Sequence, residues 1–454
     1  MTQPTHTATA GTLDPSFADE GVLKFPIPEI SGFYTQAILT LPNKQILLSL
    51  ELSGGLGSPT VIARLNENGS LDTDFGGNGS GLVEIRIGME DARQDVRNIY
   101  RLSDGGWLVM GSYSKSPNSG LYLVRYREDW QLDESFGEKG VRLVPYATMG
   151  NPRYVGLDGE ALESSDEDSS TGAPRASGNK GATALQQLNG KIFLTHVVTT
   201  KSGQIKGIVL RLNSDGSNDY TFNELGFAII ELEGIDYRHN FTESVAVQMD
   251  GKVLVGGLFY LGDQNGGGVY VTRFDAMGRL DRSFNGGTVT VRNAIGSHLR
   301  TIEIREADGS IVAAGDAMRD GARNGMMFVL TEGGFFDFNF NRGQPLFSRL
   351  VPQGMEWWRC VLLADGSIIA SGTTGNGFAT EDAKVLTARL LPDGSLDPTF
   401  NGNGFTVFDE EVTFESMQDM TMMADGRIIE CGLNWVETDF APGIAGGWVI
   451  RYLA

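Results

Sequence analysis

The sequence predicts an all-β fold: a seven-bladed β-propeller of four-stranded antiparallel blades, with the ring closed by its N- and C-terminal segments. Three observations carry this expectation. A turn-rich joint, L-D-x-[ST]-F, recurs along the chain. A D-G turn inside an apolar run recurs in step with it. An alternating strand ending in Arg precedes each joint. Recurrence at a fixed period is the mark of repeat architectures.

The joint stands at Leu13–Phe17, Leu71–Phe75 (with Asp74 in the Ser/Thr place), Leu132–Phe136, Leu280–Phe284 and Leu396–Phe400, and in degenerate form at Asn218–Phe222 and Phe336–Phe340. Its Phe residues are 58, 61, 86, 62, 56 and 60 positions apart, so one unit carries an insertion and the rest share a period. The D-G landmark reads SDGGWLVMG from Ser103, MDGKVLVGG from Met249, ADGSIVAAG from Ala307, ADGSIIASG from Ala364 and ADGRIIECG from Ala424. Looser copies start at Leu188 and Pro42. The Arg-ending strand reads VIARL, YLVRY, IVLRL, VTRF, LTARL and VIRYL, and Met326–Leu330 fills its place without the Arg.

Each unit then holds four strands. In the second they begin at Gly81, Val96, Gly106 and Leu121, each alternating or apolar over a strand's length. The D-G between the second and third reads as a type I′ hairpin, which needs positive φ at both central residues. No stretch carries a sustained helical period. A flat array of so many strands would expose two long edges, whereas a ring of blades leaves only short ones. The termini agree: GGWVIRYLA followed by GTLDPSF rebuilds the internal joint.

LDPSF, MDGKVLVGG and ARLLPDGSLDPTF resemble the bacterial delta-60 repeat, from Gly11 to Ala454. The resemblance implies a propeller and supplies no catalytic residues. Residues 1–10 are expected to be a flexible tail and 11–454 one propeller. Residues 147–180 are expected to be a flexible acidic insertion in the third blade, since their composition buries too little apolar surface to order itself.

The net charge of −21 leaves no basic footprint for nucleic acid or an anionic membrane. Neither a secretory leader nor a membrane-length apolar run is visible, so the expectation is a cytoplasmic protein, or one exported without a leader. The pattern is compatible with a monomer. Cys360 and Cys431 read as small buried residues.

Topology places the D-G turns and the L-D-x-[ST]-F joints on one rim. The irregular loops leave the other, and variable loops on a rigid scaffold are where function gathers. The acidic joints at Leu65 and Leu212 lack calcium-loop spacing and read as Asx-type turns. His6, His196, His239 and His298 have no metal-ligand spacing, so no metal or cofactor is expected. Glu84, Glu231, Glu303 and Asp409 are the carboxylates on or beside strands that approach the channel, and solvated strand ends are the favoured account of them.

Phe33, Tyr34, Tyr260, Trp357, Trp358, Trp435 and Phe440 fall near loop ends, with Trp357-Trp358-Arg359 the densest cluster. They serve either blade packing or a binding patch. The expected function is therefore a recognition or scaffold module, binding a protein or glycan through the loop rim. Its candidate residues are Trp357, Trp358, Arg359, Asp166, Glu167 and Asp168, and its partner has a basic or polar surface. The alternative is a carbohydrate-active hydrolase or lyase at the channel mouth. The absence of any spaced catalytic motif weighs toward binding.

Overall fold

The computed structural model describes residues 9–52, 58–116, 118–145, 162–163, 184–186, 190–200, 203–262, 266–292, 295–305, 307–375, 383–410, 413–438 and 442–453. It forms seven antiparallel sheets arranged as the blades of a propeller. Each blade starts with an innermost strand. These are Tyr34–Thr40, Arg93–Arg101, the pair Leu162–Glu163 and Ala184–Gln186, Tyr237–Val247, Ile295–Ile304, Met355–Leu362 and Phe414–Met422. Sequence unit and blade are out of phase by one strand. The strand that opens the second unit, Leu82–Glu84, is the outer strand of blade 1 and pairs with Thr60–Leu65. The joint therefore links the third and fourth strands within a blade. Since all strands shift together, D-G turns and joints still share one rim.

The joint's residues earn their recurrence. The Asp accepts, on one oxygen, the N–H two residues on: Ser16, Asp74, Ser135, Thr221, Ser283, Asn339 and Thr399 donate at 2.9–3.2 Å. Its other oxygen takes the Arg of the preceding strand in six blades, for example Arg273–Asp281 at 2.9 Å and Arg211–Asp219 at 2.7 Å. Val329 stands in that place beside Asp337. The guanidinium lies over the joint's Phe, at 4.7 Å for Arg211–Phe222, Arg273–Phe284 and Arg451–Phe17.

The same Phe reaches the next blade. Phe17, Phe136, Phe222, Phe284, Phe340 and Phe400 lie against Gly69, Gly216, Gly278, Gly334, Gly394 and Gly11. Those glycines have φ of 80–87°, which other residues adopt only with strain. Phe75 meets Trp130 instead, edge-on at 5.0 Å, and Trp130 holds φ 61°. Seven aromatic contacts thus run round the rim.

The D-G hairpins are not type I′. Leu102 donates its N–H to Gly106 O at 2.8 Å and Gly105 donates to Leu102 O at 3.1 Å. The glycine holds φ 85° and Asp104 stays on the right-handed side. This is a type I turn closed by a glycine bulge. Lys44 takes the glycine's place, at φ 68°, in the looser copy at Pro42.

The N-terminal strand Val22–Phe25 completes blade 7, pairing with Gly447–Ile450 of the C-terminal strand Gly443–Tyr452. Ala10 belongs to the ring: its carbonyl accepts Asn401 N–H at 2.7 Å. Of the expected insertion, only Leu162–Glu163 is described, and it pairs with Thr199–Thr200, while Ala184–Gln186 pairs with Ile192–Leu194. The inner edge of blade 3 is therefore built from two separated pieces of chain. No helix among the described residues is long and apolar enough to cross a membrane.

Candidate functional site

The wall of the central channel is the inner strands, and in six blades the inner strand carries a β-bulge at one level. The ladder shifts at Thr35–Ala37, Val96–Asn98, Thr242–Ser244, His298–Thr301, Trp357–Arg359 and Met417–Asp419. In five of these six blades the last glycine of the D-G landmark stands opposite the bulge: Gly111, Gly257, Gly315, Gly372 or Gly432; in blade 1 that place is Leu50. A Cβ at those glycines would overlap the carbonyl of Asp95, Phe241, His298, Glu356 or Ser416. The repeat keeps glycine because the inner strand's backbone fills the space.

A bulge leaves ladder groups without strand partners, so other acceptors must reach them. Here they come from the preceding blade. Gln36 Oε1 accepts Val96 N–H at 2.7 Å and Glu243 Oε2 accepts Leu299 N–H at 2.6 Å. Ser244 Oγ accepts Ile302 N–H at 3.0 Å, and Asp419 Oδ2 accepts Ile38 N–H at 3.0 Å, from blade 7 to blade 1.

Charged side chains continue these bridges. His298 Nδ1 is 2.7 Å from Glu243 Oε1. Arg300 contacts Asp316 Oδ1 at 3.3 Å and Glu356 Oε2 at 3.2 Å, and Arg323 holds the other oxygen of Asp316. Arg300 lies over Trp358 at 5.0 Å. Arg359 Nε donates to Asp419 Oδ1 at 2.8 Å. Burial alone would push the His298 imidazole down, but Glu243 beside it outweighs that and holds it above its ordinary value. Burial pushes the Glu303 carboxyl up to about 7, with Arg359 pulling it back. Burial pushes His196 down to about 4, helped by Arg97.

The expected site residues separate. Trp357 and Trp358 are buried between blades on the inner strand of blade 6, and Arg359 is spent on Asp419. The Trp-Trp-Arg cluster is blade packing and not a surface patch. Asp166, Glu167, Asp168 and Phe440 lie outside the described residues. Trp435 is buried, donating to Ser416 Oγ at 2.8 Å. Tyr34 and Tyr260 are partly exposed at the loop rim. Of the four carboxylates, only Glu303 is on a channel strand. Glu84 pairs with Arg86, Glu231 with Lys206 and Asp409 with Lys384, all at outer strands. The structure therefore does not bring these four carboxylates together as a pair for glycoside hydrolysis. No cluster of His, Cys, Asp and Glu that could hold a metal occurs among the described residues.

Sequence reading missed the network of Glu243, His298, Arg300, Asp316 and Glu356. These residues do not recur, so the repeat gives no sign of them. The available signal was the landmark glycine, which fixes the level of the bulge.

A family described as a domain of unknown function (DUF5122) β-propeller matches residues 57–75, 102–136, 248–284 and 363–400. No match to the curated proteins was found. Among solved structures, Drosophila Semaphorin 2a aligns over 98% of this chain and 77% of its own, at 8% identity and TM-score 0.48. The polysaccharide lyase Uly1 aligns over 97% and 99%, at 10% identity and TM-score 0.44. The β-propeller domain of the Trilobed protease from Pyrococcus furiosus aligns over 91% and 96%, at 8% identity and TM-score 0.42. The chain is a β-propeller.

Proposed function

We propose that this propeller is a rigid recognition module that binds a protein or glycan at its loop rim. The carrying observation is that six charged groups on the first two strands of the blades are spent on one another and on backbone N–H groups of neighbouring blades. Glu243, Arg300, Asp316, Glu356, Arg359 and Asp419 all have such partners. A catalytic group must be free to meet substrate, whereas a network that locks blades together makes a stiff platform. With Trp357 and Trp358 taken up by packing and the partly exposed Phe33 packed against the core, the expected rim aromatics left among the described residues to meet a partner are Tyr34 and Tyr260. Tyr34 lies beside Arg93, Asp95 and Glu51. The chain's negative charge and the acidic run Asp166, Glu167 and Asp168 favour a basic or polar partner, speeding encounter while contacts set affinity.

The test is affinity capture with the intact chain, followed by a glycan array, repeated for Tyr34→Ala and Tyr260→Ala. Loss of the partner with unchanged melting supports the reading. Turnover of a carbohydrate that Glu303→Gln abolishes would replace it with the hydrolase or lyase alternative.

A further inference from the structure

The joint rim is not uniform. Five of the seven exposed large hydrophobic residues among those described lie on it: Tyr220, Met249, Met277, Phe335 and Phe338. All five belong to blades 3, 4 and 5. The repeat supplies an internal control. The residue after the joint's Asp points outward in every copy and reads Pro15, Thr73, Glu134, Tyr220, Arg282, Phe338 and Pro398. In three consecutive blades it is thus Tyr, Arg and Phe, with Tyr220 62% and Phe338 78% exposed. The place held by Phe335 is Ser70, Gln131, Ser217, Arg279 and Ser395 in other joints. The fold forms the same turn with polar residues there, so folding does not call for these side chains.

The three joints are bound to one another. Asn223 donates to Met277 O at 2.7 Å, Arg273 to Glu332 O at 2.6 Å, and Phe284 covers Gly334 beside Phe335. They form one rigid sector. Exposed apolar side chains gathered in one place mark an interaction surface, and Tyr, Arg and Phe suit its centre.

We propose that this sector binds a second copy of the chain in a two-fold contact. Charge decides the occupant. Two copies at −21 repel each other over most of their surfaces. This sector carries charges of both signs: Arg342, Glu224 and Glu332 are exposed and enter no ion pair among the described residues. A two-fold contact sets the patch against itself, so the arginine of one copy can meet a glutamate of the other around apolar anchors. A strongly acidic or basic foreign surface would match only half of these charges. The inference goes beyond the recognition reading, which uses the opposite rim.

Sedimentation velocity on the full chain, from about 1 to 100 µM, tests it. The mass should rise from 49.0 kDa toward twice that value. Phe338→Ser and Tyr220→Ser should weaken association at least about tenfold without changing the melting temperature. Glu134→Ser, at the same joint position in blade 2, should associate like the parent. A parent that stays at 49.0 kDa throughout overturns the proposal. So does association that Phe338→Ser leaves unchanged, or a monomeric parent whose sector captures a different protein. None of these outcomes bears on ligand capture at the loop rim.

Discussion

Arg451 donates from Nε to Asp14 Oδ2 at 2.8 Å, joining the last strand of the chain to its first joint. Both side chains are almost fully buried, at 1% and 5% exposure. The same guanidinium reaches Glu67 O in blade 1 and lies over Phe17 at 4.7 Å. One side chain therefore spans blade 7, the N-terminal segment and blade 1. It is the copy of the repeated Arg–Asp pair on which closure depends, because no peptide bond links these elements.

Arg451→Ala should destabilise the ring by about 2–3 kcal/mol, since it removes the nearer of the two cations on the buried Asp14 carboxylate, leaving Arg427 at 3.1 Å, together with the contacts to Glu67 O and Phe17. Arg389→Ala removes the equivalent partner of Asp397 inside a covalently continuous blade, where the arginine is 20% exposed. It should cost about 1–2 kcal/mol. Deleting residues 447–454 strips the partners of Val22–Phe25 and should abolish the cooperative transition. Urea unfolding of the three variants checks the order, and a truncated chain that unfolds like the parent refutes the closure mechanism.

Gly372→Ala should cost more than the same change at an open turn glycine. A Cβ at 372 overlaps the Glu356 carbonyl, so the inner strand of blade 6 must move. Overpacking of this kind costs about 1–3 kcal/mol or more. Gly402, at φ 76° with nothing near a Cβ, bears only the conformational strain, about 1–2 kcal/mol. Chemical denaturation of both variants tests this, and equal losses would remove the bulge as the reason for the conserved spacing within the chain.

Fold and closure were legible because they rest on residues that recur: the joint's Asp and Phe, the strand's Arg, the landmark glycine. The hairpin type was misread because D-G suits two turn classes. What separates them is the φ of Asp104, a backbone angle the residue pair does not fix. Trp357-Trp358-Arg359 was misplaced by the one-strand phase error: a strand taken as the second of a unit is the innermost of its blade, and its side chains face neighbouring blades. The Glu243–His298 bridge was illegible, because each residue occurs once and their meeting depends on a bulge register. The apolar sector of Tyr220 and Phe338 was present in the repeat, at the residue after the joint's Asp, but its exposure needed the structure.

Glu430→Gln should stabilise the protein at pH 8 and not at pH 4. Glu430 is fully buried, accepting Thr387 Oγ1–H at 2.7 Å and Ser371 Oγ–H at 3.0 Å from blade 6. Burial pushes its carboxyl up to about 7, with the two hydroxyls pulling it back. The folded state thus holds a proton that the unfolded chain releases near 4.5, so stability falls as pH rises from there to about 7. The loss is on the order of 3 kcal/mol. Glutamine keeps the shape without the charge. Denaturation curves at pH 4 and 8 decide the matter: a variant less stable than the parent at pH 8 would show that the ionised carboxylate is well served where it is.

The Glu243–His298 bridge should give a second, separable pH dependence. His298 faces Glu243 from blade 4, with Arg300, Asp316 and, through Arg300, Glu356 in the same network. Its folded value lies above the usual 6.5, so the stabilisation is fully present below 6.5 and is lost as pH rises through the folded value. Glu430, Glu303 and Glu415, each pushed up to about 7 by burial, also lower stability with rising pH, but their windows close near 7. With Glu430, Glu303 and Glu415 all replaced by Gln, stability should still decline above pH 6.5, and this decline should disappear on adding Glu243→Gln. His298→Asn should flatten the same segment by removing the titrating group. If, in that background, the slope above pH 6.5 survives His298→Asn, another group titrates and the inner-strand bridge is not the pH-sensitive tie between blades 4 and 5.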